Sequence, residues 1–191
     1  MGQNKALMPF LGQPLVERIL ARVKGHVDEI IITTNTPELF AIPGIRVVCD
    51  DFPHFGSLGG LYSGLKAASH SSVAVAACDM PFVNPRLYLA EADTLKKNDC
   101  AVVLPFWDDR PQPMHAVYRR EECLSEILQA IDQDERRVNQ MVRSLRYFPF
   151  EMASVLCYDP QGIAFINVNS YDEFQAAEQK ALALGEKNHQ D

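Results

Sequence analysis

A three-layer α/β/α fold around a mostly parallel, mixed sheet is the architecture this sequence predicts, and three observations predict it. Short β-branched runs recur at Glu29 to Thr34, Ile45 to Cys49, Ser72 to Cys78 and Cys100 to Leu104. Each is nearly all apolar, the pattern of strands covered on both faces. Helix-like segments alternate with them at Pro14 to Lys24, Leu61 to Ala68 and Arg86 to Lys97. Finally, 191 residues of which 47% are apolar suffice for one sizeable core, so a single domain over 1–191 is expected.

The first helix is expected because Pro14 suits a first turn and Leu15, Ile19 and Val23 fall four apart on one face. Asn84-Pro85 is a start signal for the third. Strand and helix in alternation imply right-handed βαβ crossovers, whose ligands sit beyond the carboxyl ends of the strands. After Leu104 the regularity breaks into a turn-rich Pro105 to Pro113, a strand-like Met114 to Tyr118, a helix from Glu121 to Ile131 and a strand-like Leu145 to Phe150. These read as antiparallel additions to the sheet with a lobe beside it. Ser170, with Glu173 three residues on, is a capping box opening an amphipathic helix to Leu184, and the polar Gly185 to Asp191 is expected to fray.

Composition excludes several roles. A net charge of -7, with Lys and Arg scattered in short pairs, opposes nucleic acid as a partner. No run of about 18 apolar residues exists and no secretion signal opens the chain, so neither a membrane nor export is expected. Five cysteines without a CxxC pair fit a reduced, cytoplasmic thiol set, with Cys49, Cys78 and Cys100 expected as buried packing residues.

Four features offer chemistry. Asp79, in Cys78-Asp79-Met80-Pro81-Phe82, closes an apolar strand just before a proline. At the carboxyl edge of a sheet it suits a hard divalent cation bridging phosphates, or it caps a turn; both readings are open. Phe55 to Leu61 is a glycine-rich loop ahead of a helix, which either lets backbone approach an anion or is an ordinary turn. Lys5 is able to neutralise phosphate, although an isolated lysine there reads as surface. Asn167 and Asn169 precede the last helix, as ligands or as turn formers. His115, on an apolar strand, reads as packing, and Arg136 and Arg137 as phosphate binders or a solvated face.

Taken in order, MGQNKAL, GQPLVERIL, DEIIITTN, VVCDD, FGSLGGLYSGL, ACDMPF, PMHAVYRR, DERRV and FINVNSYDEF resemble the molybdenum cofactor guanylyltransferases, MobA-like members of a wider nucleotidyltransferase family. The resemblance runs almost the whole length. It implies a Rossmann-like nucleotidyltransferase fold, Mg2+ as cofactor, and transfer of GMP from GTP to the terminal phosphate of molybdopterin with release of pyrophosphate. A molybdoenzyme or its chaperone would receive the product. Lys5 looks like the family's phosphate-contacting lysine, Asp50 like the acidic residue that helps hold GTP, and Asp79 like the aspartate that binds nucleotide and metal. Asn167 and Asn169 match the paired asparagines of the NxNT element, with Asn169 near a second metal contact, and Arg136 and Arg137 would face the pterin phosphate. Departures are Asn4 where the family has aspartate, Thr33 where it often has asparagine, and an opening that matches only the end of LAGGxSxRMGxDKAL; a first strand and the rest of that loop are expected upstream of Met1. A cytidylyltransferase acting on the same pterin, or a non-catalytic protein that delivers the cofactor, are the alternative functions.

Overall fold

A computed structural model describes residues 4–186; Met1 to Gln3 of the opening motif, and Lys187 to Asp191 of the tail expected to fray, lie outside the described residues. After a 3-10 turn at Lys5–Leu7, the elements are β1 (Pro9–Phe10), β2 (Gln13–Pro14), α1 (Leu15–Val23), β3 (Ile31–Thr34), β4 (Arg46–Cys49), α2 (Ser57–Ala67), β5 (Ser72–Ala76) and α3 (Pro85–Lys97). The second half adds β6 (Val102–Trp107), β7 (Arg110–Pro111), β8 (His115–Arg119), α4 (Arg120–Asp132), α5 (Val138–Val142), β9 (Tyr147–Phe150), α6 (Met152–Leu156) and α7 (Tyr171–Ala183).

The main sheet runs β5-β8-β6, with β9 on the other side of β6 and the two-residue β7 on its far end. β8 is antiparallel to β5 and β6, and β9 is parallel to β6. So β5, β6 and β9 share one direction: β8 is a reversed addition as the irregular second half predicts, but β9, expected to be antiparallel as well, runs parallel to β6 because the chain returns through α4 and α5 before entering the sheet. Period-two alternation then separates two cores. Val102, Leu104, Ala116 and Tyr118 face Leu58, Leu61 and Leu65 of α2 and Cys123, Ile127 and Ile131 of α4. Val103 and Val117 face Leu87 and Leu95 of α3, Leu15 and Ile19 of α1, and Phe174, Ala177 and Ala181 of α7. This is the three-layer arrangement, and it leaves the carboxyl end of β5 open toward the loops.

Two further expectations are corrected. Burial on both faces holds for β6 and β8, but β3 and β5 are half-exposed, with Ala74 and Ala76 open to solvent. The reason is that β3 pairs in parallel only with β4, β5 pairs only with β8, and no ladder joins the two among the described residues. Cys49 and Cys78 are exposed for the same reason, while Cys100 and Cys123 are buried; all five cysteines are free thiols. Second, α2 begins at Ser57, so Gly59 and Gly60 lie in its first turn, not in a loop, and of these three glycines Gly56 alone has a positive φ, +54°.

Candidate functional site

The acidic strand end is built by backbone first. Beyond β5 the chain turns, with the Met80 N–H donating to the Ala77 carbonyl at 3.3 Å, and the Asp79 carbonyl accepts from the Val168 N–H at 2.9 Å. That bond ties the rim of β5 to the Asn167 to Asn169 segment from the other end of the chain. Asp79 is half-buried. Burial pushes its carboxyl above the usual carboxylate range, its own backbone N–H and the Lys5 ammonium pull it back, and Glu173 pushes it up again.

Lys5, held on the 3-10 turn that Asn4 caps through Ala6 N–H at 3.2 Å, donates from Nζ to Asn169 Oδ1 at 3.0 Å. The expected capping box is present: Ser170 Oγ accepts from the Glu173 N–H at 3.2 Å. It extends one residue further than expected, because the Glu173 carboxylate accepts both the Ser170 N–H at 2.9 Å and the Asn169 N–H at 2.7 Å. These backbone amides hold Glu173 below the ordinary carboxylate range. Lys5, Asp79 and Asn169 are thus gathered with Glu173, a residue the sequence reading used only as a cap.

Beside them lies a cavity of about 350 Å³ lined by Ser57, Met80, Gln112, Met114, Arg136, Arg137 and Asn167, among others. Tyr118 fixes its Pro113 edge, its hydroxyl donating to the Pro113 carbonyl at 2.7 Å. Arg136 pairs with Asp134 at 2.9 Å and sits 5.5 Å from the Phe55 ring centroid, and Arg137 pairs with Glu135 at 3.1 Å. Both arginines are therefore held at the cavity mouth by carboxylates two residues before them. Ser57, the first residue of α2 within the glycine-rich stretch, and Gln112, in the turn-rich stretch after β6, were not singled out individually by the sequence reading.

Asp50 stands at the end of β4 and works inward: its Oδ1 accepts from the Phe52 N–H at 2.8 Å and from Ser63 Oγ at 3.1 Å. Gly59 makes this possible, since a Cβ there would meet the Phe52 carbonyl at 2.3 Å. Thr33 packs against α2, where a Cβ on Gly64 would lie 3.3 Å from its hydroxyl. Among the described residues no group of three or more His, Cys, Asp or Glu side chains gathers as a metal cage. A single oxygen ligand at a strand rim suits an ion that keeps water and phosphate as its other partners.

His115 is fully buried, as its packing role predicts, stacked on Tyr88 with ring centroids 4.0 Å apart. Its Nε2 accepts from the Asn84 N–H at 3.4 Å, whereas its Nδ1 lies 3.7 Å from the carboxylate of Glu91, too far for a hydrogen bond, and neither that nitrogen nor the Glu91 oxygens have another partner. Burial lowers the imidazole to about 3 and raises Glu91 well above its ordinary value, so it favours the neutral form of both. The signs are opposite. The lowered imidazole contributes stability above pH 6.5 that is lost as pH falls toward 3, and the raised carboxyl contributes stability below pH 4.5 that is lost as pH rises through its folded value. In the parent the two oppose each other. Glu91→Gln is expected to lose up to ~1.4 kcal/mol of stability per pH unit as pH falls below 6.5, and His115→Phe to gain stability as pH falls, in urea unfolding at pH 5, 6 and 7. Equal slopes in the two variants would refute the assignment.

The chain's residues 1–148 match the model of the MobA-like NTP transferase domain. A probable molybdenum cofactor guanylyltransferase of Methanosarcina mazei is 30% identical over 184 residues, covering 90% of this chain and 81% of the relative. The molybdenum cofactor guanylyltransferase of Desulfosudis oleivorans is 28% identical over 177 residues, covering 93% and 87%. Among solved structures, molybdopterin-guanine dinucleotide biosynthesis protein A from Archaeoglobus fulgidus superposes with a TM-score of 0.80 at 24% identity, covering 95% of this chain and 92% of that one. The 2-C-methyl-D-erythritol 4-phosphate cytidylyltransferase of Thermus thermophilus shares the fold with a TM-score of 0.68 at 19% identity, over 93% and 94%. By the length of the family match and this order of strands around an acidic rim, the chain belongs to the MobA-like NTP transferase family of nucleotidyltransferases.

Proposed function

We propose that this nucleotidyltransferase moves the GMP unit of GTP onto the terminal phosphate of molybdopterin, in a cytoplasmic setting. An oxygen of that phosphate attacks the α-phosphorus in line, the bond from the α-phosphorus to the α,β-bridging oxygen breaks, and pyrophosphate leaves with the electron pair. No covalent enzyme intermediate is needed. The substrates are suggested by the names of the relatives in Methanosarcina mazei and Desulfosudis oleivorans. The single observation that carries the geometry is the 3.0 Å bond between Lys5 and Asn169, which sets a cation within the electrostatic reach of Asp79.

In this reading Lys5 neutralises the charge that builds on the departing oxygens, and Asn169 aims it. Asp79 supplies the carboxylate for Mg2+, with Asn169 available as a second oxygen ligand; an oxygen-only donor set fits that ion. Bound there, Mg2+ supplies charge neutralisation between the nucleotide phosphates and the incoming acceptor. Asp50 holds the guanine nucleotide through the structure it imposes on the β4 to α2 connection. Asn167 and the two arginines face the acceptor in the cavity, where guanidinium forks suit its phosphate. Delivery of the product to a molybdoenzyme, directly or through a chaperone, follows.

The test is pyrophosphate release from purified protein given molybdopterin and Mg2+ with either GTP or CTP. Release that needs the acceptor and is at least ~10-fold faster with GTP is the expected result. Faster release with CTP would reassign the base, and nucleotide or pterin binding with no pyrophosphate would make the chain a carrier.

A further inference from the structure

The segment that carries Asp79 leaves the sheet with its carbonyls unclaimed by any ladder, and three donors from two other parts of the chain claim them. The Asp79 carbonyl is taken by the Val168 N–H at 2.9 Å. Two residues on, the Pro81 carbonyl accepts from Arg18 Nε at 2.8 Å, and two further, the Val83 carbonyl accepts from Arg22 Nε at 2.8 Å. Arg18 and Arg22 stand one turn apart on α1, so their forks meet alternate carbonyls of one connecting segment. Glu186 bridges them from behind, with one carboxylate oxygen 2.5 Å from Arg18 Nη1 and the other 3.4 Å from Arg22 Nη1.

This is an expensive way to hold a loop. Arg18 is only 6% exposed, its guanidinium carbon lies 4.5 Å from the Phe10 ring centroid and 5.3 Å from that of Phe82, and its Nη2 has no partner. Replacing a buried ion pair as a whole by apolar side chains of similar volume is often neutral or stabilising. The pairing with Glu186 therefore gives little reason for the guanidinium, whereas geometry does: the segment has left the sheet, and its Pro81 and Val83 carbonyls take their donors from the side chains of Arg18 and Arg22.

We propose that Arg18 and Arg22 are positioning residues for Asp79, which fix the rim segment through the Pro81 and Val83 carbonyls and thereby aim the carboxylate. This rests on the reading of Asp79 as the metal-binding carboxylate. Outer partners that orient a metal ligand change metal affinity by about 10–100-fold when removed.

The experiment uses Mn2+ as the spin probe, titrated into the protein saturated with GTP, for the parent, Arg22→Met, Arg18→Met/Arg22→Met and Asp79→Asn. Methionine keeps the packing against Phe10 and Phe82, and Arg22→Met, at a side chain that is 30% exposed, covers the case in which the double variant does not fold. The expected result is Mn2+ affinity lowered ~10-fold in Arg22→Met and up to ~100-fold in the double variant. Amide exchange at Phe82 and Val83 should speed up in both arginine variants, with the smaller loss of melting temperature in Arg22→Met. Parent-like Mn2+ affinity in both arginine variants, in a preparation where Asp79→Asn has lost it, overturns the positioning role and leaves Asp79 in place. Parent-like affinity in Asp79→Asn itself overturns both.

Discussion

An Asp79→Ala protein is expected to fold as the parent does and to release pyrophosphate from GTP at least ~10³-fold more slowly, the scale set by losing one oriented charge partner of the transition state. The two halves of that expectation have different causes. The fold uses the backbone of Asp79 and not its carboxylate: the carbonyl holds the Val168 N–H, and the turn closes between Met80 and Ala77. Burial is the main influence on the carboxyl and works against its ionised form, so removing it relieves a cost. Thermal melts should therefore shift by no more than the ±0.5 kcal/mol typical of sites with no packing role. Transfer, by contrast, loses the group that meets the cation. A well-folded Asp79→Ala protein with parent-like turnover would remove the mechanism proposed above.

The second large effect is in stability. Gly59→Ala is expected to destabilise the protein by about 2 kcal/mol or more, even though alanine is the better helix former by ~0.5–1 kcal/mol. A methyl group there would lie 2.3 Å from the Phe52 carbonyl and 2.9 Å from Asp50 Oδ1, and the carbonyl is backbone that has no rotamer to turn aside. Relief requires moving the β4 to α2 connection, which breaks the bonds from Phe52 and Ser63 to Asp50. The neighbouring Gly60→Ala is the control. Its nearest new contact is 3.9 Å, an ordinary van der Waals distance, so propensity should win and the melting temperature should rise. The same sign for both variants would show that packing at Gly59 does not decide its identity.

Much of this was legible in the sequence where local chemistry and tertiary context agree. Asn84-Pro85 opens α3, and its Asn84 side chain accepts the Arg86 N–H as a cap should. Ser170 and Glu173 open α7 as read. The rim position of Asp79 follows from an apolar strand that stops before a proline. What was not legible depends on neighbours far away in sequence. Gly59 and Gly60 suggested a loop, because the sequence does not show that the Phe52 carbonyl passes so close to a helix. Ala74, Ala76, Cys49 and Cys78 read as buried, since period and composition do not report which strand edges find a partner. α5 and α6 span five residues each, too short for a 3.6-residue period to register. Nor did the β1 to β2 hairpin announce itself, because its turn is Leu11-Gly12, both with positive φ, in place of the usual Asn-Gly. Arg18 and Arg22 drew no reading at all, because their carbonyl partners lie more than sixty residues away.

The carboxylate that starts the last helix also grips the amide of Asn169, so the first turn of that helix and the polar centre share a fastening. Unwinding from that end cannot proceed without releasing the lysine's partner. Proton exchange at the backbone of Asn169 and Ser170 should thus serve as an internal gauge, slowing when nucleotide is added and quickening when Glu173 is lost, well before the molecule as a whole comes apart.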